Sequence, residues 1–352
     1  MAARRGTPLF RPGADGHLWL DRWRRAVGTL RCSGEAIEPA KRKGNVLATN
    51  KELMAAARKG KYAVGAFNIN NLEFLQAITG AAEELGSPAI IALSEGAIKY
   101  AGFRNIVSMV RLIAEEKKVP ISLHLDHGKD MDIITECIEG GFTSVMIDGS
   151  GLPFEENIAV TAKVVEKARP KGVSVEGELG KLAGIEDNVS VAERDAALTD
   201  PTQAEEFVKR TGVDALAIAV GTSHGAYKFK GAANLALDRI SEIASRVNAL
   251  LVLHGASGVK QENVDLANTF GAAIKGAKGV PDAAIVEAIR RGICKVNIDT
   301  DMRIAFTAYV RKALAEKPEE IDPRKVLGPG REAIAAVARE KMKLFGSEGK
   351  AR

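Results

Sequence analysis

The stretch His124-Leu125-Asp126-His127-Gly128 sets two imidazoles and a carboxylate within five residues, in a chain with only five histidines. Two other histidines precede small residues: Gly225 follows His224, and Gly255-Ala256-Ser257-Gly258 follows His254. Neutral imidazoles brought together from separate segments suit a Zn²⁺-class ion, and three protein ligands leave a position open for a reacting molecule. His127, His224 and His254 are the candidate ligands. His124, in the middle of an apolar run, is expected to be a buried, hydrogen-bonded or ligand-supporting histidine. Asp126 precedes His127 directly, and Asp148 and Glu178 follow apolar runs of their own. Acids close to a cation stay ionised and can orient the imidazoles, act as alternate ligands or serve as a proton-transfer base. The small residues after the histidines, with the Asn297-Ile298-Asp299-Thr300 turn, offer backbone N–H groups that could cradle a phosphate. A glycine-rich turn alone is a weak signal, and it gains weight here from its place beside the candidate metal.

Positioning these groups needs elements, and the chain supplies them from Lys51 onward as short β-rich apolar runs alternating with amphipathic stretches. The runs are 62–67, 88–93, 121–125, 143–147, 173–177, 215–220, 249–253 and 294–298. Eight such runs with crossovers between them, and a final helix over 301–316, predict a (β/α)8 TIM barrel with an extra C-terminal helical segment. An open doubly wound sheet would carry a glycine fingerprint after its first strand, whereas Asn68-Ile69-Asn70-Asn71 stands there. A barrel places its chemistry at the C-terminal ends of its strands. Asn68, Ser94, Asp126, His127, Asp148, Glu178, His224, His254 and Asn297 all fall at such ends. The connection 180–201 is long and carries Glu186-Asp187, either a mobile acid/base on a lid or a solvated pair.

The overall charge narrows the partners. The chain has 50 Lys and Arg against 45 Asp and Glu, but residues 1–50 alone hold ten basic and four acidic residues, leaving 40 against 41 in the rest. The body is therefore near neutral and gives no reason to expect nucleic-acid binding. No run approaches the roughly 18 apolar residues of a membrane span. Cys32, Cys137 and Cys294 are scattered and form no C-x-x-C, which fits a cytoplasmic protein better than a disulfide scaffold. Residues 1–45 are Arg-rich and irregular and contain both tryptophans, Trp19 and Trp23. They read as a disordered extension or an upstream mis-start, with a transit peptide as the alternative; the folded domain is expected over 46–352.

The segments YAVGAFNINNLE, HLDHG, SVMIDGS, VEGELG, GTSHGAYKFKG, VLHGASG and KVNIDTDMRIAF, in this order and spacing, closely resemble the class II, metal-dependent fructose-bisphosphate aldolases from about Val46 to the C-terminus. The resemblance implies an aldehyde-lyase that reversibly cleaves fructose 1,6-bisphosphate to dihydroxyacetone phosphate and glyceraldehyde 3-phosphate. It implies Zn²⁺ on His127, His224 and His254, with Asp148 and Glu178 lining a second, buried divalent position. Asp126 would take the C4 hydroxyl proton, and Glu186 would exchange the proton of the enediolate. Gly225, Gly255, Ala256, Ser257, Asn297, Ile298, Asp299 and Thr300 would bind the dihydroxyacetone phosphate portion, and Asn68 and Ser94 would lie nearer the aldehyde portion. Arg303 would reach a neighbouring subunit's site, which implies a homodimer or homotetramer, and a monovalent cation near the phosphate is a family trait. Residues 1–45 have no counterpart in the pattern, and a tagatose 1,6-bisphosphate aldolase of the same family is the nearest alternative. Outside that mechanism stand a Schiff-base aldolase using Lys295, for which an ion-pair role is the other reading, and a non-catalytic barrel subunit.

Overall fold

In the computed structural model of the chain, residues 47–180, 183–186, 189–191, 198–224 and 235–351 are described, with the backbone alone at 183–186, 189–191 and 223–224. The extension read over 1–45 and the candidate Gly225 lie outside the described residues.

The strands are β1 (Val64–Asn68), β2 (Ala89–Leu93), β3 (Ile121–Gly128), β4 (Ser144–Ile147), β5 (Ser174–Leu179), β6 (Ala183–Glu186), β7 (Val189–Val191), β8 (Ala215–Ile218), β9 (Ser223–His224), β10 (Leu250–Leu253) and β11 (Ile293–Ile298). Eight of them close a barrel in the order β1-β11-β10-β8-β5-β4-β3-β2, with every neighbouring pair parallel. Parallel strands require crossovers, and amphipathic helices such as Leu72–Leu85, Met131–Gly140 and Phe154–Ala168 supply them. Their apolar faces and the outward residues of the strands form one large core that includes Phe67, Ile91, Leu123, Phe142 and Phe207. The barrel and the C-terminal helical segment agree with the sequence expectation.

Several strand ends extend beyond the apolar runs. Asn68, Asp126, His127 and Glu178 were expected just past their strands but lie within β1, β3 and β5. The reason is that the interior of this barrel is polar in its upper half, so a strand continues after its sequence has ceased to look apolar. The last barrel helix starts at Thr300, so the Asn297–Thr300 turn is split between strand end, cap and helix. The long connection after β5 holds a β6–β7 hairpin, and β6 also pairs in parallel with β9.

A helix before the first strand, Asn50–Gly60, seals the N-terminal mouth. Thr49 caps it reciprocally: the Glu52 N–H donates to Thr49 Oγ1 at 3.1 Å, and Thr49 N–H donates to Glu52 Oε2 at 2.8 Å. Its buried face, Leu53, Met54 and Ala57, joins Val64, Ala66, Ile90, Ala217, Leu250 and Val252 in a second core that fills the lower barrel. At the other end of the chain, the helices Thr300–Glu316 and Pro323–Leu344 pack together and against Leu72–Leu85, with the Phe74 and Phe306 rings 5.3 Å apart.

This layering separates stability from chemistry, since the apolar plug lies below and the polar groups lie above. Met54→Ala should therefore cost about 2–5 kcal/mol, as expected for a fully buried methionine. Denaturant unfolding would measure the loss, and the turnover of the remaining folded protein should stay near that of the parent.

Candidate active site

Strand β3 carries the feature on which the site is built. In strict pairing, consecutive residues face opposite sides, so Asp126 and His127 could not both look into the barrel. Between β3 and β4 the register shifts: Leu125 pairs with Val145, yet Gly128 pairs with Ile147, so three steps on one strand match two on the other. This is a β-bulge. His127 adopts φ of 49°, in the left-handed region that few non-glycine residues enter, and its N–H donates to Met146 Sδ at 3.4 Å. Gly128 completes the bend, because a Cβ there would lie 2.6 Å from the Met146 carbonyl oxygen and 2.8 Å from the Leu125 side chain.

The bulge sets the Asp126 carboxylate and the His127 imidazole side by side. Asp126 is buried, its Oδ2 accepting from Asn68 Nδ2 at 2.9 Å and its Oδ1 from Asn297 Nδ2 at 3.0 Å. Burial pushes its carboxyl pKa up, but the positive fields of His127, His254 and Lys295 and the Asn68 hydrogen bond outweigh this and hold it below the ordinary value. The two asparagines spend their amide donors on Asp126, which leaves Asn68 Oδ1 and Asn297 Oδ1 buried with no hydrogen-bond partner among the described residues.

His254, just beyond β10, stands edge-on to His127 with Nδ1 2.9 Å from His127 Nε2. Its other nitrogen, Nε2, lies 2.8 Å from Glu176 Oε1, so Nε2–H donates to the carboxylate and Nδ1 is turned toward the site. Glu176 was missed by sequence reasoning. It sits mid-strand in a run read as apolar, although its position two residues before Glu178 already put both on one face. Lys295 Nζ holds Glu176 at 2.8 and 3.1 Å and approaches His124 Nε2 at 3.3 Å, and His124 Nδ1 reaches Ser144 Oγ at 3.0 Å. Burial and the Lys295 charge push the His124 pKa well below its ordinary value, so it stands neutral beneath the site. His124 is thus a buried, hydrogen-bonded histidine, one of the readings expected for it, and Lys295 has the ion-pair role. With no solvent exposure and its ammonium bound to Glu176, it lacks the free amine of a Schiff-base former.

On the far side of His127, Nδ1 is 3.4 Å from Asp148 Oδ2 and 3.7 Å from Glu178 Oε2. The two acids separate in character. Burial and the Asp148 charge push Glu178 well above the ordinary carboxyl range. Asp148, despite its burial, is held low by His127, by Ser150 hydrogen bonds at 2.7 and 3.2 Å and by Lys129. Burial opposes charge on His127, but Asp126, Asp148 and Glu178 outweigh it and raise the imidazole to about 10.

The donor chemistry fits a divalent cation. Ligating atoms of Asp126, His127 and His254 lie within 4.8 Å of one another, as do those of His127, Asp148 and Glu178, so His127 is shared by two adjoining clusters. The carboxyl groups of Asp126, Asp148 and Glu178 crowd one imidazole, an oxygen and nitrogen donor set in which a divalent cation can take the place of the proton that His127 and Glu178 otherwise hold. The third expected ligand, His224, is placed by its backbone in β9, opposite Gly184 of β6; Glu186 follows on that same strand. The candidate acid/base and the candidate ligand therefore belong to one small sheet.

The expected phosphate residues that are described lie at two connections, after β10 and at the end of β11. Gly255 takes φ of 59°, Ala256 and Ser257 are buried, and Asp299 stands at the N-cap position of the helix that begins at Thr300, with no side-chain capping bond. Arg303 Nε donates to Asp299 Oδ1 at 2.6 Å from a side chain that is 40% exposed. Ser94 Oγ accepts from Ala97 N–H and caps the helix Glu95–Ala101, and Ile298 is buried at the end of β11.

Comparison with known proteins places these features in a family. The family described as fructose-bisphosphate aldolase class II matches residues 48–350. The chain is 52% identical over 306 residues to a fructose-bisphosphate aldolase of Thermus caldophilus, covering 87% of this chain and 100% of that one. It is 46% identical over 308 residues to a fructose-bisphosphate aldolase of Giardia intestinalis, covering 87% and 94%. Among solved structures, the YdjI aldolase from Escherichia coli K12 superposes with a TM-score of 0.69 at 33% identity, covering 87% of this chain and all of that one.

If the bulge sets the metal geometry, Gly128→Ala should weaken divalent-metal binding by roughly tenfold or more, the range associated with groups that orient ligands. Competition with a chromogenic chelator measures this, and unchanged affinity would detach the bulge from the metal. Chelation of the parent protein should also lower its melting temperature in a way that added divalent metal reverses.

Proposed function

The chain belongs to the class II fructose-bisphosphate aldolase family, and on that premise we propose that it cleaves fructose 1,6-bisphosphate reversibly to dihydroxyacetone phosphate and glyceraldehyde 3-phosphate. The observation that carries this reading is a buried, ionised Asp126 fixed between two asparagine amides and next to the His127–His254 pair.

Class II aldolases are metal-dependent. We assign Zn²⁺ as the ion, His127, His224 and His254 as its holders, and Asp148 and Glu178 as the border of a second divalent position. Bound there, the cation supplies Lewis-acid polarisation of the ketose carbonyl. The chain's own residues do the rest. Asp126 accepts the proton of the C4 hydroxyl; as the C4–O bond becomes a carbonyl, the C3–C4 bond breaks and its electron pair moves to C3. Asn68 and Asn297 keep both carboxylate oxygens aimed at the reacting end, so the base pays little reorganisation when it acts. Their unpartnered Oδ1 atoms are acceptors for substrate hydroxyls. Glu186, on β6, is assigned the return of a proton to C3.

The phosphate on the dihydroxyacetone side is assigned to Gly225, to the turn Gly255–Ser257 and to the Asn297–Thr300 segment, where backbone N–H groups and the start of a helix favour an anion. A monovalent cation near it, and Arg303 reaching the far phosphate of a neighbouring subunit's site, complete the assignment and make the working form a homodimer or homotetramer. The catalytic barrel is assigned to 46–352, with 1–45 as an extension outside it, in a protein of the cytoplasm. Among the described residues no helix is long and apolar enough to cross a membrane.

The deciding experiment is a coupled triose-phosphate assay on parent and Asp126→Asn proteins, with fructose and tagatose 1,6-bisphosphates as substrates. Chelator should abolish turnover and Zn²⁺ restore it. Borohydride with substrate should leave activity intact, and Asp126→Asn should lower kcat by roughly 10²–10⁴, the usual contribution of a positioned base. Activity that survives chelation but is lost to borohydride would overturn the metal-dependent reading, and faster turnover of the tagatose ester would reassign the substrate.

A further inference from the structure

Behind the turn that follows His254 lies a pair of buried charges that the proposed reaction does not use. Asp301, the second residue of the helix Thr300–Glu316, is 4% exposed. Its Oδ2 accepts from Gly258 N–H at 2.8 Å and its Oδ1 from Val259 N–H at 2.5 Å. Val259 has φ of 49°, a conformation that a β-branched residue avoids unless its surroundings impose it. The two hydrogen bonds to one carboxylate are such an imposition, and Val259 is also locked among Val264, Ala277 and Ile304.

The turn is held from a second side. Val280 N–H donates to the Ser257 carbonyl at 3.1 Å. Gly279 lies so close that a Cβ would come within 2.1 Å of the Gly258 backbone. The turn has no room to relax in that direction.

The Asp301 carboxylate has a cationic partner from the last helix. Lys341 is 2% exposed, and its Nζ is 3.7 Å from Asp301 Oδ2 and 3.4 Å from Asp282 Oδ1. The neighbouring Glu340 pairs with Lys260, directly after Val259. A buried lysine beside a buried aspartate balances the charge of the pair. Such balance matters here because the turn in front is assigned to an anion, and a bare carboxylate behind it would repel that anion.

The geometry points to Asp301 as a positioning residue that clamps the Gly255–Val259 turn to the start of the helix Thr300–Glu316, with Lys341 of the C-terminal helix cancelling the clamp's charge so that the two halves of the cradle together accept a sugar phosphate. This deepens the substrate assignment above and rests on it. One residue thus sets the distance between two sets of N–H donors contributed by different βα connections. The C-terminal helix becomes part of the substrate site without touching substrate.

The test uses the zinc-loaded protein, with inorganic phosphate as a competitive inhibitor and fructose 1,6-bisphosphate as substrate. Asp301→Asn keeps the shape but weakens acceptance from two N–H groups. It should raise both the inhibition constant for phosphate and KM by roughly tenfold, about the worth of a charge-assisted hydrogen bond, with kcat falling far less and metal content unchanged. Lys341→Met should weaken phosphate binding further by leaving the carboxylate uncompensated. The double variant should bind phosphate better than Lys341→Met alone, a recovery that loss of packing would not give. Ser257→Ala tests the underlying site: if it raises the phosphate inhibition constant while Asp301→Asn does not, the clamp is wrong and the site stands. If neither variant changes phosphate inhibition, the anion assignment fails and the clamp with it. A fall in kcat, metal content and melting temperature together in Asp301→Asn would also overturn the positioning role.

Discussion

A slip of one residue in the pairing of β3 with β4 decides where the chemistry can be. Without it, period-two alternation would send either Asp126 or His127 out of the barrel. With it, the carboxylate and the imidazole stand together, His254 meets His127 at 2.9 Å, and Asp148 and Glu178 close on the other edge of the same ring. The slip is expensive, since it asks a histidine to hold φ of 49° and leaves no space for a side chain at residue 128. Strain of this kind persists only where the surroundings over-determine it, and a closed barrel of parallel strands does so.

Below that point the barrel has to carry charges that it cannot leave unpaired. Glu176 fixes His254, Lys295 neutralises Glu176, and His124 stands neutral against Lys295. A buried ion pair contributes little net stability over apolar packing, while breaking it by removing one partner costs about 3–5 kcal/mol. The value of the arrangement is in orientation. It selects which imidazole nitrogen faces the site, and it does so from three other strands at once. The same logic recurs at Asp301 and Lys341, where a neutral buried pair orders backbone donors instead of a ligand. Below these charges, the apolar plug under Met54 provides the cohesion that the polar half lacks.

Much of this was legible in the sequence, for physical reasons that also set its limits. Eight apolar runs separated by amphipathic stretches, with no glycine fingerprint after the first, favoured a parallel barrel over an open doubly wound sheet, and the barrel rule then put Asp126, His127, His254, Asp148 and Glu178 on one rim. What misled the strand limits was the same chemistry: inward-facing Asn68, Asp126 and Glu178 look like the end of a strand because their neighbours across the barrel are polar too. The helix Asn50–Gly60 escaped notice although Thr49 and Glu52 spell its capping box. Glu176 could have been found from its two-residue spacing to Glu178, but its partner Lys295 lies on another strand and only closure brings them together. Asp301 and Lys341 are likewise joined by the fold alone. No local pattern marks a carboxylate whose task is to hold the backbone of a turn more than forty residues away.

The central claim is that the bulged strand β3 brings His127 to His254 on one rim of the barrel to hold a cation, with Asp148 and Glu178 bordering a second position beside it. Anomalous diffraction at the zinc absorption edge, from crystals of the full chain loaded with Zn²⁺, tests this most directly. The account predicts a strong peak within bonding distance of His127 and His254 Nδ1, with His224 completing the set, and any second peak beside Asp148 and Glu178. A zinc peak placed away from His127, or the absence of one at full metal loading in solution, would contradict it.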